Sequence, residues 1–533
     1  MNAGLFTLPR SGFVQQELQN KKTVGSVPLR STTISNSFCP LKWALHPNDI
    51  EFYDMKKEFY RFRRINSLIG EFKELENQSI YFAEPGSLND PMEGFRDMYW
   101  KGDFIVWRNL FQHYLLCLER LCSLLLISGE DHPISTADMP VFSGEDDFPT
   151  PMYKELFSSI KNKYFDNESL AKLIDSISKR TTPVRRDELF FYLRNTHSYA
   201  LEVIYSEYEQ NGLIPERDRK NSEADKPIID LVNQDFIGIL EKSLKEHGGD
   251  EKIAHAIFSA YQHSNQQMDL IYRYNGKIDS DRNNRNLVII EFPKEYVSQI
   301  EKLVFPDWYT ACFMSECKSS SVWGHYGDNH SGACLIFNAD VINDEFLKLK
   351  GRNGYSSTSG PTYRFSNRKF YPIDYIQGYG QIDFFRMLGR LPIPKLNSVW
   401  YSLDGVMSEC ADDMIKSEDS WREKYWENFY RDVTVKSKDW SYENEHRLIL
   451  ASSLDSFSAP GDRSLNYEFP SLKGIIFGIK TTTKDKLKVI KIIEEKCRET
   501  GRDDFKFYQA EYSSEEKCIT HSEMSLLSFT QEV

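Results

Sequence analysis

The pattern of apolar and polar positions divides this chain into a long helical segment flanked by regions of strand character. Between residues 103 and 285, apolar side chains recur at the three- and four-residue spacing of helices that are buried on one face. On either side, short β-branched and aromatic runs alternate with turn-forming residues, as in strands. The pattern predicts an α+β fold, in which a mixed-sheet core assembled from discontinuous segments carries a large all-helical insertion.

The same pattern gives the predicted domain boundaries. Residues 1–47 are rich in Ser, Thr, Asn and Gln without sustained periodicity, and we expect a flexible N-terminal arm. Residues 48–102 and 286–533 are the two predicted parts of the α/β core, and 103–285 is the helical insertion. Helices are predicted over 104–128, 152–163, 168–180, 186–210, 228–246 and 251–274.

Strands are predicted wherever an apolar or alternating run is bounded by turn residues. In the first of them, alternation places Tyr60 and Phe62 on one face, and Arg61 and Arg63 on the other. Strand character returns after the insertion, beginning with the apolar run 286–292. The predicted strands are 59–64, 79–83, 286–292, 308–314, 333–337, 370–375, 472–478 and 505–510, with a helix over 483–499.

One stretch, residues 436–450, changes from polar to apolar and carries an unusual cluster of charge. If it is extended, Glu443, Glu445 and Arg447 share one face, and the Leu-Ile-Leu end enters the core. Two carboxylates and a guanidinium are expensive to bury without partners, so we expect them to line a cleft or to lie on the surface. The preceding Trp440 and Tyr442 favour the cleft over a solvated edge strand.

Composition and charge argue against several classes of function. The formal net charge of −13 argues against a general DNA- or RNA-binding surface, although a local basic groove stays open. The nine cysteines are scattered without a Cys-x-x-Cys pair, which fits a reducing cytoplasm. The apolar segment 104–127 contains too many polar residues for a membrane span and is predicted to be a core helix, so no membrane association is expected.

Several other groups of residues could carry chemistry. His325 and His330 lie in one loop, where they could bind a metal with Asp90, Glu93, Glu443 or Glu445 as the third ligand, or could only shape the turn. Asn89 and Asp90 before a proline form an Asx-type turn, or else Asp90 or Glu93 holds a substrate hydroxyl or a metal. Arg61, Arg63 and Arg64 suit phosphates or carboxylates, or could pair with the protein's own acidic residues. A Glu beside an Arg stays ionised, and can stabilise a developing cation or accept a proton.

Three motifs together resemble a bacterial protein family of unknown function. They are Asn89-Asp90-Pro91-x-Glu93, then Trp323-x-His325-Tyr326 with His330-x-Gly332, and Lys438-x-Trp440-x-x-Glu443-x-Glu445-x-Arg447. The resemblance covers about 59–100 and 286 onward. Some members of the family are found near mobile elements and defence genes, which implies a toxin-like or antiphage role.

The order of elements also resembles the layout of ADP-ribosyltransferases. That resemblance implies that Arg61 or Arg63 contacts NAD, that Tyr81 stacks on the nicotinamide, and that Glu443 or Glu445 is the catalytic carboxylate. The chain lacks a clear Ser-Thr-Ser on the middle strand. The other substrate contacts would come from Asn89, Asp90, Glu93, His325, Tyr326, His330, Trp440 and Arg447.

Three functions therefore stay open. The first is an enzyme acting on a nucleotide-like small molecule, with NAD as the substrate and no metal required. The second is a metal-dependent hydrolase or nuclease that uses Asp90, Glu93, His325 and His330. The third is a protein without catalysis that senses a ligand, with a protein partner on the helical insertion. The sequence leaves the oligomeric state unknown.

Overall fold

A computed structural model of the protein describes residues 56–217, 223–279, 281–341, 345–452, 457–527 and 529. The N-terminal arm expected over residues 1–47 lies outside these ranges. The predicted fold class is confirmed, because a large mixed sheet and an extensive helical body each have their own hydrophobic core.

The strands form mainly from the apolar and alternating runs of the two flanking regions. In chain order they are β1 (Lys56–Arg63), β2 (Ser79–Tyr81), β3 (Asp97–Trp100), β4 (Val184–Arg185), β5 (Trp308–Met314), β6 (Ala333–Val341), β7 (Glu345–Ser356), β8 (Gly360–Pro372), β9 (Gln381–Asp383), β10 (Ser402–Leu403), β11 (Val406–Met407), β12 (Glu445–Ala451), β13 (Ser464–Tyr467), β14 (Leu472–Phe477), β15 (Lys506–Ser513) and β16 (Cys518–Glu523).

The main sheet joins strands that are far apart in sequence, in the order β16-β15-β14-β6-β1-β5-β12-β8-β7-β13-β2. Strand β6 also pairs with β7, so the six strands from β6 through β1, β5, β12 and β8 to β7 close into a ring. Aromatic side chains fill the interior of this ring of strands. The Phe59 and Phe370 side chains stack with 3.9 Å between their ring centres, and Phe313 contacts Phe370 edge-on.

The register of the ring brings together the strand ends that matter for the site. Glu445 pairs with Met314 and Arg447 with Cys312, so the start of β12 lies beside the end of β5. Tyr60 of β1 also pairs with Met314. The charged start of β12 therefore lies near the arginine-rich end of β1.

The helical body follows the predicted spacing closely. Two helices have the predicted bounds, and the predicted helix 228–246 is interrupted at Asp235, whose left-handed φ of 49° ends one helix and begins the next. The helices are α1 (Ile65–Ile69), α2 (Phe104–Ser128), α3 (Pro151–Phe165), α4 (Glu168–Ser178), α5 (Arg186–Gln210), α6 (Lys226–Asn233), α7 (Phe236–Glu246), α8 (Lys252–Tyr274), α9 (Asn283–Asn286), α10 (Phe292–Ile300), α11 (Ser320–His325), α12 (Ile393–Leu396), α13 (Asp412–Lys416), α14 (Glu418–Val433) and α15 (Thr483–Thr500).

The prediction of a strand over residues 286–292 was wrong. Leu287–Glu291 forms a π-helical turn that continues into α10, and Val288 and Phe292 are buried in the helical core. A short apolar run fits a buried strand and a buried helix equally well, and tertiary packing decides between them. Buried residues of 384–433, among them Phe385, Trp400 and Phe429, also belong to this core. The helical body thus recruits residues well beyond 103–285.

Helix α2 is long and apolar enough to cross a membrane by length and composition alone. In the structure, 61% of the most apolar 18-residue stretch of this helix is buried, and the helix lies at the centre of the helical core. Its start is capped by Asp103, whose carboxylate accepts hydrogen bonds from the backbone N–H groups of Ile105 and Val106. The burial agrees with the expected core helix.

Candidate functional site

Several of the sequence motifs meet around one cavity of about 310 Å³ at the end of strand β1. The turn that contains Asn89 and Glu93 forms part of its wall, and helix α11 contributes His325 and Tyr326. The lining residues are Phe62, Arg63, Arg64, Ser67, Ala83, Ser87, Leu88, Asn89, Glu93, Cys312, His325, Tyr326 and Lys436. Segments that are up to 374 positions apart in sequence, from Phe62 to Lys436, therefore face the same space.

A buried network of charges lies beside this cavity, with Lys436 at its centre. The Lys436 Nζ atom is 2.7 Å from Glu443, 3.0 Å from Glu445 and 3.7 Å from Glu93. Arg447 closes the network: its Nε donates to Glu445 at 2.8 Å, and its two terminal nitrogens donate to the two oxygens of Glu93. The five side chains are at most 3% exposed. Partners surround every charge, which is the condition for burying such a cluster.

The charges in this network do not balance. Three carboxylates face one ammonium and one guanidinium, which leaves one surplus negative charge if every group is ionised. Burial by itself raises the pKa of Glu445, but the adjoining Arg447 and Lys436 lower it to about 2. Burial dominates at Glu443 and raises its pKa, helped by the negative charge of Glu445 and opposed by Lys436. Glu443 is thus the carboxyl group in this pair that more readily holds a proton.

The local backbone that presents these carboxylates differs from the predicted extended segment. Residues Lys438–Glu443 form a 3-10 helix, and β12 begins only at Glu445. Between them, Asn444 adopts the left-handed conformation with φ 46° and ψ 47°. This turn, rather than strand alternation, directs Glu443 and Glu445 toward the same lysine.

We expect Asn444→Val to destabilise the protein by about 1–2 kcal/mol, because a β-branched residue is strained at positive φ. Asn444→Gly also loses the side-chain hydrogen bond to Glu316 but tolerates this backbone, so it should lose less than about 1 kcal/mol. Chemical denaturation of both variants measures the difference. Equal losses in the two variants would show that the left-handed turn is not under strain.

Tyr326 connects the cavity with the buried network. It lines the cavity, and its hydroxyl donates to Glu443 Oε1 at 2.8 Å. Burial and the charge of Glu443 raise the pKa of this phenol far above its usual range, so it stays protonated. A proton can therefore pass between a molecule in the cavity and Glu443 through Tyr326, although Glu443 itself does not line the cavity.

Aromatic side chains flank His325 and Lys436. The His325 ring nitrogen Nδ1 is 3.0 Å from the Tyr442 hydroxyl, and the Trp440 ring lies 6.3 Å from the His325 ring. Lys436 Nζ lies 4.8 Å from the centre of the Trp440 ring. Trp440 thus packs against the network and adjoins the cavity wall without being part of its lining.

The structure places four of the predicted site residues elsewhere. Arg61 is buried and donates to the backbone oxygens of Cys312 and Tyr81, while the Tyr81 side chain is 37% exposed outside the cavity lining. Asp90 accepts a hydrogen bond from the backbone N–H of Met92 at 2.9 Å, so it shapes its own turn. His330 lies in a turn with φ 71°, and its carbonyl accepts from the backbone of Lys480. Arg63, which does line the cavity, pairs with Glu74 rather than with Glu443 or Glu445.

The four residues of the proposed metal site do not converge. Glu93 and His325 line the cavity, whereas Asp90 and His330 do not. Across the described ranges, no group of three or more His, Cys, Asp or Glu side chains is arranged to hold a metal ion. At the point where Glu93, Glu443 and Glu445 approach one another, the cation is the Lys436 ammonium.

Sequence reasoning missed Lys436, the most connected residue of the network. It stands seven positions before Glu443 in the same stretch, but a lysine in a polar segment is usually exposed. The available signal was an imbalance: two glutamates with one arginine require a further cation if the cluster is buried. Cys312, whose side chain lines the cavity and whose pKa is raised far above its usual range by burial, was missed as well.

Comparison with protein families identifies the part of the chain that carries this network. Residues 322–448 match a family described as Protein of unknown function (DUF2971). We refer to residues 322–448 below as the DUF2971 segment, after the family that they match. It contains His325, Tyr326, Lys436 and the two glutamates, and so confirms the family resemblance of the second and third motifs. Comparison with curated proteins and with solved structures found no match.

The DUF2971 segment does not contain the whole site. Arg63, Asn89 and Glu93 come from the region before the helical body, more than 200 residues upstream of the segment. Glu93 nevertheless forms a two-point ion pair with Arg447 of the segment. The cavity is therefore composite, and the DUF2971 segment supplies His325, Tyr326 and Lys436 of its lining.

Proposed function

We propose that the cavity is the active site of an enzyme that acts on a nucleotide-like substrate, with NAD as the favoured substrate and ADP-ribosyl transfer or NAD cleavage as the reaction. The observation that carries this proposal is the surplus negative charge in the buried network next to the cavity. Cleavage of a glycosidic bond builds positive charge on the sugar carbon, and a preorganised negative field lowers the energy of that state.

Arginine at the cavity supports the nucleotide part of the proposal. Arg63 and Arg64 both line it, and Arg64 is exposed, so its guanidinium can reach the phosphates of a bound dinucleotide. Asn89 and the hydroxyls of Ser67 and Ser87 supply hydrogen-bonding groups of the kind that hold ribose and amide groups.

The proposed step uses Tyr326 and Glu443 together. The bond between the sugar carbon and the nicotinamide nitrogen breaks, and its electron pair leaves with the nicotinamide. Water, or a hydroxyl or amine of an acceptor, forms the new bond to that carbon and gives up one proton. Tyr326 passes the proton to Glu443, whose raised pKa makes it a better proton acceptor than an ordinary glutamate. Glu445, held by Arg447, keeps its charge and positions Lys436.

We expect purified full-length protein to release nicotinamide from NAD, and Arg64→Gln to raise KM about tenfold or more with little change in kcat. The reason is that a charge-assisted hydrogen bond to phosphate contributes about 1.5–3 kcal/mol to binding. Chromatographic detection of nicotinamide at several NAD concentrations gives both constants. The matched control is Arg498→Gln on helix α15, where the side chain is 74% exposed.

Two results would contradict the proposal. The first is the absence of nicotinamide release by the wild-type protein with acceptor proteins or water as nucleophile. The second is the same KM in Arg64→Gln as in Arg498→Gln. A toxin-like or antiphage role in the cytoplasm would follow from consumption of NAD or from modification of a host target, and it stands as part of the proposal.

The other two functions stay predictions with less support. The metal-dependent reaction would need Asp90 and His330 to turn toward the cavity, where Lys436 already holds the three glutamates. Exposed apolar side chains on the helical body, such as Leu270 and Tyr274 on α8, support the partner-binding role.

A further inference from the structure

The β7–β8 hairpin is a concentration of positive charge on an acidic protein. Residues 345–372 contain six basic residues and a single acidic one, Glu345, whereas the chain as a whole has a net charge of −13. Beyond its base the hairpin is largely exposed. The basic residues are Lys348, Lys350, Arg352, Arg364, Arg368 and Lys369.

Strand register places most of this charge on one face, together with aromatic rings. Cross-strand pairs share a face, and here Lys350 is opposite Phe365 and Arg352 is opposite Tyr363. Lys348 lies on the same face two positions earlier, and its Nζ is 5.4 Å from the centre of the Phe365 ring. The opposite face of β7 is buried at Leu347 and Leu349, so the basic face is the outer one.

The aromatic rings on this face are unusually exposed. Tyr363 is 51% exposed and Phe365 41%, and Tyr355 near the tip is 71% exposed. Apolar rings exposed to water are unfavourable in free energy, and an apolar binding partner that covers them removes this cost. Because the rings alternate with cations, the partner must offer both flat apolar surfaces and closely spaced negative charge.

We propose that this outer face of the β7–β8 hairpin binds single-stranded nucleic acid. Bases would stack on Tyr363 and Phe365, and the phosphates would lie along Lys348, Lys350 and Arg352. Aromatic platforms interleaved with basic side chains are the recurring means by which proteins hold unpaired strands. This binding is separate from the cavity chemistry and does not depend on it.

Two acidic side chains in the described part of the chain form ion pairs with this face. Glu468 lies 3.3 Å from Lys348, and Asp462 lies 3.1 Å from Arg352. Both are exposed or half-buried pairs, which contribute little to stability and yield readily to a phosphate. Lys350 is exposed, and it is the central cation of the row.

The test is fluorescence anisotropy of the full-length protein with labelled single strands of about 20 nucleotides, long enough to exceed the 4–16 nucleotides of a typical single-strand site. We expect wild-type binding that weakens with salt. Lys348→Gln/Lys350→Gln should weaken it at least tenfold and reduce the slope of log affinity against log salt by about 1.4, since each phosphate contact contributes about 0.7. Lys484→Gln/Lys488→Gln on the exposed side of α15 is the matched control and should change neither.

A second pair of variants separates stacking from charge. Tyr363→Ser/Phe365→Ser should weaken binding by tenfold or more and leave the salt slope unchanged, because stacking contributes about 1–3 kcal/mol per base. All substitutions are at exposed positions, and unchanged thermal melting will show that the fold is intact. No binding of single strands by the wild type, or equal binding by the hairpin and control variants, would overturn the proposal. Equally tight binding of a duplex, or binding of anionic lipid vesicles alone, would overturn the assignment to single strands.

Discussion

Lys436→Met should destabilise the protein by about 3–5 kcal/mol, the largest single-residue effect expected in this chain. The substitution removes the ammonium that pairs with Glu93, Glu443 and Glu445 and preserves most of the side-chain volume. Removing one partner of a buried ion pair leaves uncompensated charge in a low-dielectric environment, which is the reason for the size of the loss. Urea denaturation followed by fluorescence measures it.

The loss should depend on pH in a definite direction. Without the ammonium, the pKa values of Glu93 and Glu443, already raised by burial, rise further above those of the unfolded chain. The folded state then binds more protons than the unfolded state, so the variant loses stability as the pH rises through these folded pKa values. The variant should therefore be closest to the wild type in stability in mildly acidic solution, and furthest from it above neutral pH.

Two further variants test whether the loss of stability in Lys436→Met comes from the buried network. Lys438→Met makes the same change two residues away at an exposed position and should alter stability by less than about 0.5 kcal/mol. Lys436→Met/Glu443→Gln removes one of the stranded carboxylates and should recover part of the loss. If Lys436→Met were as stable as Lys438→Met, the buried network would not contribute to the fold as described.

The largest effect on activity is expected from Glu443→Gln, which should lower kcat for NAD cleavage by about 10²–10⁴-fold, the usual contribution of general acid–base catalysis. Tyr326→Phe should have a similar effect, because it removes the hydroxyl that links the cavity with Glu443. The double variant should be little worse than either single variant if the two groups act in one proton path.

The pH profile distinguishes this chemical role from a structural one. A proton acceptor must be deprotonated to work, so wild-type kcat should fall as the pH falls through the pKa of Glu443, which lies above the usual 4.5. In Glu443→Gln, kcat should be low at every pH and should no longer fall as the pH falls. Glu511→Gln and Tyr512→Phe, adjacent and exposed on β15, are the matched controls and should leave the profile unchanged. A wild-type profile retained in Glu443→Gln would remove Glu443 from the mechanism.

Local sequence signals predicted the regular elements well and the irregular ones poorly. Helices α2 and α5 have the predicted bounds because their long apolar patterns are local signals, and Asp103 also caps the start of α2. The strand prediction for 286–292 failed because these apolar residues fit a buried strand and a buried helix equally well, and packing in the helical core favoured the helix. Strands β7 and β8 were largely missed because much of the hairpin is polar and stands outside any core.

The candidate site shows the same division. The sequence by itself determined the fold class, the helical body and the carboxylates of 443–447 as a cluster that needs partners, since periodicity and the energetic penalty for burying charge are local properties. Only the tertiary structure decided which residues form ion pairs with this cluster. A bridge between Ala83 and Thr310 holds the segment that leads to Glu93 beside β5, the strand that pairs with β12 and its Arg447. The left-handed backbone of Asn444 turns both glutamates toward Lys436. Glu93 and Arg447 are 354 residues apart, and no periodicity along the chain encodes their contact.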